Sequence, residues 1–242
     1  MGFSEWFFGP RVPKSEAQVE RYRKDTRILH WVVVVTMALL GITGLFLYVP
    51  GLGFLAVDSW SRLVHRIAAA GLILGILVYA ARNWRASLKW LNEVLTWGWE
   101  DWAWFSAAPR YYFMGDESAM PPQGHMNTGQ KLWALLLVLF IPLLLLTGIL
   151  LWFFKNIFPS AVFQWSVFAH DVFFIAVGTF FLVHLYLSVL HPLMRGIFWS
   201  MVGGKVSAKY AKAHHGKWYQ EVVEGHENEQ SPAEGTTGVG DK

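Results

Sequence analysis

Cysteine is absent from all 242 residues. That excludes disulfides, thiolate-held iron–sulfur clusters and the Cys-x-x-Cys-His attachment of c-type heme. A metal centre here must rely on other ligands, and any iron–sulfur cluster that works with this chain belongs to another polypeptide. Charge is scarce too, at 15% of residues, and it is missing from long stretches. Trp31–Val49 holds no Asp, Glu, Lys or Arg, and neither do the 23 residues of Leu132–Phe154. Arg62–Ala81 confines its charge to Arg62 and Arg66 in the first turns, where long side chains can reach an interface. From about Gln164 to Leu190 the only charge besides histidine is Asp171.

Each stretch is long enough to cross a hydrocarbon core about 30 Å thick. Lipid admits only helices or closed barrels, so the expected fold is all-α, an integral membrane four-helix bundle. Its domain covers residues 28–195, with spans near 28–49, 62–81, 132–154 and 164–190. Residues 1–27 form an arm before it, and 196–242 a tail. The tail's Glu, Gly, Thr and Ser content predicts disorder from about residue 229.

Lys and Arg are absent from the connection Pro50–Ser61, and Lys155 alone represents them between the last two spans. They gather in the arm (Arg11, Lys14, Arg21, Arg23, Lys24, Arg27), the second connection (Arg82, Arg85, Lys89, Arg110, Lys131) and the tail (Arg195, Lys205, Lys209, Lys212, Lys217). The positive-inside rule therefore predicts cytoplasmic N- and C-termini in a multi-pass protein of a bacterial inner membrane. The net charge of +3 follows from this topology and predicts no nucleic-acid partner. Met1–Arg27 lacks the apolar core of a cleavable signal.

What the apolar segments do contain is histidine. His170 and His184 share the fourth span, fourteen residues apart, which is almost four turns and about 21 Å along one helix face. Such a spacing puts one imidazole near each side of the membrane. Ionisable groups in lipid are costly and mark sites. With the N-terminus inside, His30 begins the first span at the inner edge and His65 begins the second at the outer edge. Pairing by depth gives His65 with His170 and His30 with His184. Two bis-histidine b-type hemes, one per leaflet, are the cofactors this pattern predicts. A metal ion or a proton relay would use the same residues.

Gly41, Gly44, Gly71, Gly75 and Gly178 could admit flat macrocycles or simply close helix packing. Arg62 and Arg66 could meet propionates or lipid phosphates, and Asp171 could orient an imidazole or mark the interface. His125, His191, His214, His215 and His226 read as solvated or locally bonded. Six of the fourteen tryptophans lie between Asn83 and Phe105, which predicts an interfacial helix plus turn at headgroup level. Ala107–Gln130 reads as a loop. No internal repeat is expected, since the third span has no histidine and the fourth has two.

Several short motifs resemble one family. They are Arg21-Tyr22 with Arg27-Ile28-Leu29-His30-Trp31, His65 opening the second span, Asn127-Thr128-Gly129-Gln130-Lys131, and His170 with His184. Met201–Ser207 followed by His214-His215-Gly216-Lys217-Trp218 completes the set. Over roughly residues 21–220 the chain resembles the gamma subunit, a membrane cytochrome b, of respiratory formate dehydrogenases. The histidine spacing is shared with the cytochromes of nickel–iron hydrogenases. The resemblance implies electrons arriving from an iron–sulfur beta subunit, itself fed by a molybdopterin or tungstopterin alpha subunit. They would pass through the outer heme (His65, His170) and the inner heme (His30, His184) to a quinone, menaquinone or ubiquinone. Asn127, Gly129, Gln130 and His184 match the quinone site. The long Trp-rich second connection and the acidic tail depart from the family pattern. A cytochrome b of a hydrogenase or another molybdopterin oxidoreductase is the alternative, and a histidine-based ion or proton transporter the alternative of another class.

Overall fold

The computed structural model describes residues 8–13, 15–57, 59–116, 118, 120–154, 156–194 and 197–222. The stretch from residue 229, expected to be disordered, lies outside these, as does His226.

Four helices are long and apolar enough to cross a membrane: α1 (Lys24–Tyr48), α2 (Trp60–Arg82), α5 (Thr128–Phe153) and α6 (Ser160–Leu185). Each begins two to four residues before the apolar stretch that announces it. At α5 local capping, which hydropathy does not register, accounts for the difference; among the described residues the starts of α1, α2 and α6 have no side-chain cap. At α5, Asn127 Oδ1 accepts from Gln130 N at 2.9 Å while Gln130 Oε1 accepts from Asn127 N at 3.0 Å. This reciprocal capping box satisfies two of the amides that every helix start leaves orphaned. Beyond α6 the chain widens into a single π turn, Tyr186–Leu190, then tightens into a 3₁₀ turn, Pro192–Met194.

The spans pair as two hairpins, α1 with α2 and α5 with α6, while α1 and α6 meet only sparsely between them. Close approach in the first hairpin depends on Gly75 of α2. A Cβ at Gly75 would stand 2.9 Å from Val32 Cγ1, and one at Gly71 3.6 Å from Thr36 Cγ2. Gly75 therefore serves close helix packing, whereas a Cβ at Gly71 would make an ordinary contact.

The second connection holds two helices, α3 (Trp84–Leu95) and α4 (Trp99–Met114). Its tryptophan-rich part is helical as expected, but the helix runs past Ala107 to Met114, through Pro109. The reading of Ala107–Gln130 as loop is corrected at both ends: α4 stops only where Gly115 takes a left-handed φ of 72°, and α5 already begins at Thr128. Trp84, Leu88, Leu95, Trp99, Trp102, Phe113 and Met114 stand exposed along these helices. Val94, by contrast, is buried with Met126 and Ala134, docking α3 on α5.

The all-α expectation needs one small correction. Strands β1 (Gln18–Glu20) and β2 (Lys205–Ser207) pair antiparallel, with Val19 opposite Val206. Around them α7 (Phe198–Gly203), α8 (Ala208–His214) and a helix at 216–222 form a cap at the end where arm and tail meet. Val206, Ala211 and Trp218 make its core. The turn into β2 requires glycine: Gly204 has φ +86°, and a Cβ there would lie 2.7 Å from the Tyr22 carbonyl oxygen. Gly204 O in turn accepts from Arg21 N and Tyr22 N at 2.8 and 3.0 Å.

Candidate functional site

His65 lies in the second turn of α2, and His170 in the first half of α6, at the end of the bundle away from the cap. Their ring centroids are 6.4 Å apart with planes at 59°. Each ring is held by a threonine of the neighbouring helix in its own hairpin. Thr43 Oγ1 is 2.9 Å from His65 Nδ1, and Thr147 Oγ1 is 2.8 Å from His170 Nδ1. The residue after each threonine is glycine. A Cβ at Gly44 would lie 3.8 Å from His65 Cε1, and one at Gly148 3.5 Å from His170 Cε1. At either position a Cβ would make an ordinary contact with the imidazole. A Cβ at Gly41 or Gly178 would meet no neighbouring atom.

At the cap end, His30 in α1 and His184 near the end of α6 lie within electrostatic range of each other. The His184 ring stacks on Trp133 of α5, centroids 5.5 Å apart and planes at 17°. His30 packs edge-on against Trp31 at 5.5 Å, and its buried Nδ1 meets no polar partner among the described residues. Among the described residues no group of three or more His, Asp or Glu comes together. His65 and His170 meet as a pair, and His30 and His184 lie toward the opposite end of the bundle.

Asn127, Gly129 and Gln130 stand at the start of α5. Both amides are engaged through oxygen in the capping box, and Gln130 Oε1 also lies 3.5 Å from Arg21 Nη2. Among the described residues neither side-chain NH2 donates a hydrogen bond. Gly129 admits Trp104: a Cβ there would stand 3.3 Å from Trp104 Cζ2. One turn away, Asp101 accepts from Gly98 N at 2.9 Å, Thr128 Oγ1 at 2.8 Å and Lys131 Nζ at 2.9 Å. Burial opposes ionisation of Asp101, but these three donors outweigh it and hold its carboxyl below the usual range.

The remaining described histidines are hydrogen-bonded or packed within the chain. His215 Nδ1 is 2.8 Å from Gly124 O, His191 Nε2 is 3.1 Å from Tyr112 O, and Tyr111 Oη is 2.8 Å from His214 Nδ1. His125 lies edge-on to Tyr22 and Trp218, with Nδ1 3.8 Å from Glu93 Oε2. Burial, aided by Arg21, pushes the His215 imidazole down to about 2 and also lowers His125.

The family model for prokaryotic cytochrome b561 matches residues 21–204. The chain belongs to the prokaryotic cytochrome b561 family. Among curated relatives, a formate dehydrogenase cytochrome b556 subunit of Haemophilus influenzae is 28% identical over 236 residues, 93% of this chain and 94% of the relative. The nitrate-inducible formate dehydrogenase cytochrome b556(Fdn) subunit of Escherichia coli K12 is 24% identical, covering 85% and 92%. The cytochrome b556(fdo) subunit of that strain is 25% identical, covering 86% and 95%.

Membership of the cytochrome b561 family implies b heme, and the residues present fit it. A metal–imidazole bond is about 2.0–2.1 Å, so two imidazoles that shared one metal ion between them would have ring centroids roughly 6 Å apart. His65 and His170 stand at that separation. Thr43, Thr147, Gly148 and Trp133 were missed in the sequence. The available signal was the dipeptide Thr-Gly, 22 residues before His65 and again 23 before His170.

Proposed function

We propose that this chain is the cytochrome b subunit of a formate dehydrogenase complex. It carries electrons from an iron–sulfur subunit across a bacterial inner membrane to quinone. Bound heme b supplies a one-electron centre. His65 and His170 hold one on the outer side, and His30 and His184 hold another on the inner side. The termini, the second connection and the cap face the cytoplasm, as the clustering of Lys and Arg supports. The arm 1–27 and tail 196–242 flank the heme-binding domain 28–195. Asn127, Gly129, Gln130 and His184 form the quinone site, where neutral amides can bond a carbonyl in either redox state. Formate oxidation belongs to a molybdopterin or tungstopterin partner, and the names of the relatives favour formate over hydrogen as donor.

The observation that carries this reading is the His65–His170 pair at 6.4 Å, with His184 on the same helix nearly four turns away toward His30. The expected result is that His65→Leu or His170→Leu removes the outer heme and His30→Leu or His184→Leu the inner one. The heme-to-protein ratio then falls from two toward one. Depletion of the same heme by His30→Leu and His65→Leu would refute the pairing. The large subunits that co-purify decide between formate dehydrogenase and hydrogenase.

A further inference from the structure

We propose that Thr43 and Thr147 are positioning residues that fix the tautomer of His65 and His170, leaving Nε2 of each imidazole free to bind metal. The inference rests on the reading of these histidines as the axial pair of one heme, and it follows from counting hydrogens.

A threonine hydroxyl has one hydrogen to give. Thr43 Oγ1 donates it to Leu39 O at 2.6 Å, and Thr147 Oγ1 donates it to Leu143 O at 2.8 Å. Both are the ordinary back-bond of threonine inside an apolar helix. With the hydrogen spent, each oxygen can only accept. Each nevertheless lies within 2.9 Å of an imidazole Nδ1. The hydrogen in that contact must come from the ring, so Nδ1 is protonated. A neutral imidazole carries a single N–H, so Nε2 is bare and its lone pair points away from the threonine. Thr43 is 2% and Thr147 7% exposed, so water does not compete for the contact.

Helix packing alone accounts for the back-bonds but not for the recurrence. The same arrangement is built on two different helix pairs, with the following glycine in each case lying against the imidazole Cε1. The other histidine pair lacks it: the His30 Nδ1 has no partner among the described residues, and the His184 ring is stacked on Trp133. The threonine module therefore distinguishes one metal centre from the other.

An acceptor on the far nitrogen raises the basicity of a metal-bound imidazole, which favours the higher oxidation state of the metal. Thr43→Val and Thr147→Val remove the acceptor at nearly constant volume, and Thr43→Ser and Thr147→Ser restore it. The purified complex carrying each variant would be titrated potentiometrically, following both hemes by their absorbance. For the double valine variant we expect two hemes retained and about a tenfold rise in the ferrous-to-ferric ratio of the outer heme at fixed potential. That is about 59 mV for a one-electron couple. The inner heme should titrate as in the wild type, and the serine variants should return the outer one to its place. Loss of the outer heme in the valine variants with recovery in the serine variants also supports the role. An outer heme that titrates unchanged in both valine variants overturns it, as does a heme loss that serine does not repair. Neither result touches the axial pairing. That reading fails separately, if His65→Leu and His170→Leu deplete different hemes or if the valine variants shift the inner heme.

Discussion

Replacing Asn127 by serine and Gln130 by glutamate separates two jobs that the wild-type amides combine. The oxygens do the capping: Asn127 Oδ1 accepts from Gln130 N at 2.9 Å and Gln130 Oε1 from Asn127 N at 3.0 Å. The NH2 groups are the part a quinone carbonyl would use. Serine caps a helix about as well as asparagine does, and a carboxylate at position 130 keeps the acceptor for Asn127 N while facing Arg21. Glutamate has no donor to offer, and the serine hydroxyl ends one bond short of the position that the Asn127 NH2 group reaches. Asn127→Ser and Gln130→Glu should therefore keep both hemes and stay within a few tenths of a kcal/mol of wild-type stability. Each should slow reoxidation of the reduced inner heme by quinone about fivefold, because a net hydrogen bond is worth about 1 kcal/mol. Asn127→Ala removes cap and donor together. It should cost a further 1 kcal/mol or so, lowering the thermal midpoint by about 2–4 °C for a chain of this size. Stopped-flow reoxidation and a thermal melt of the purified complex read the two effects independently. Wild-type reoxidation in both Asn127→Ser and Gln130→Glu refutes the quinone assignment. A wild-type melt for Asn127→Ala refutes the capping argument.

Gly204→Ala should loosen the cap, because an alanine at φ +86° with its Cβ 2.7 Å from Tyr22 O adds a steric clash to a left-handed cost of about 1–2 kcal/mol. Faster amide exchange at 18–22 and 204–207, with the spans unaffected, is the expected outcome; unchanged exchange contradicts it. Acidification should loosen the same region. Burial holds His215 down to about 2 from 6.5, so below pH 6.5 the unfolded cap binds a proton that the folded cap refuses. Stability falls by about 1.4 kcal/mol per pH unit from that group. Exchange protection of residues 205–218 should therefore drop between pH 7 and pH 5, and protection constant across that range would show that His215 does not sit neutral and buried.

The spans were legible because lipid forbids charge, and a run such as Leu132–Phe154 has few other readings. Their ends were less so. Lys24–Arg27 and Thr128–Lys131 are polar; the second is started by the side chains of Asn127 and Gln130, while α1 begins with no side-chain cap among the described residues. The meeting of His65 with His170 was legible through the period of one helix, since fourteen residues put His170 and His184 at opposite ends of the same face. Thr43 and Thr147 were not, because threonine in an apolar helix is commonplace. It becomes informative only when the partner helix is known, and that knowledge is tertiary. The helix through Pro109 was hidden by composition, and the β1–β2 pair by length, since three residues carry no readable alternation.

The motifs that suggested a family resemblance lie far apart in the chain, yet the structure gives most of them one physical task. Arg21 is 5% exposed, and among the described residues no carboxylate lies within ion-pair distance of it. Its guanidinium is met instead by His125 O at 2.8 Å, by Tyr22 Oη at 3.0 Å and by the faces of Tyr22 and Trp218, each 5.2 Å away. A buried cation without a counter-charge is tolerated only where several dipoles and rings converge on it. Here those groups come from the arm, from the loop before α5 and from the tail. The tail adds its own ties to the same loop, His215 Nδ1 to Gly124 O and Lys217 N to Gln123 O at 2.8 and 3.1 Å. The Arg27 guanidinium and Trp31 Nε1 anchor α1 to Val202 O and Met201 O. Residues 21–31, 123–130 and 201–218 therefore depend on one another for their positions. The start of α5 is fixed from three directions, and its amides are held in place by sequence more than seventy residues downstream.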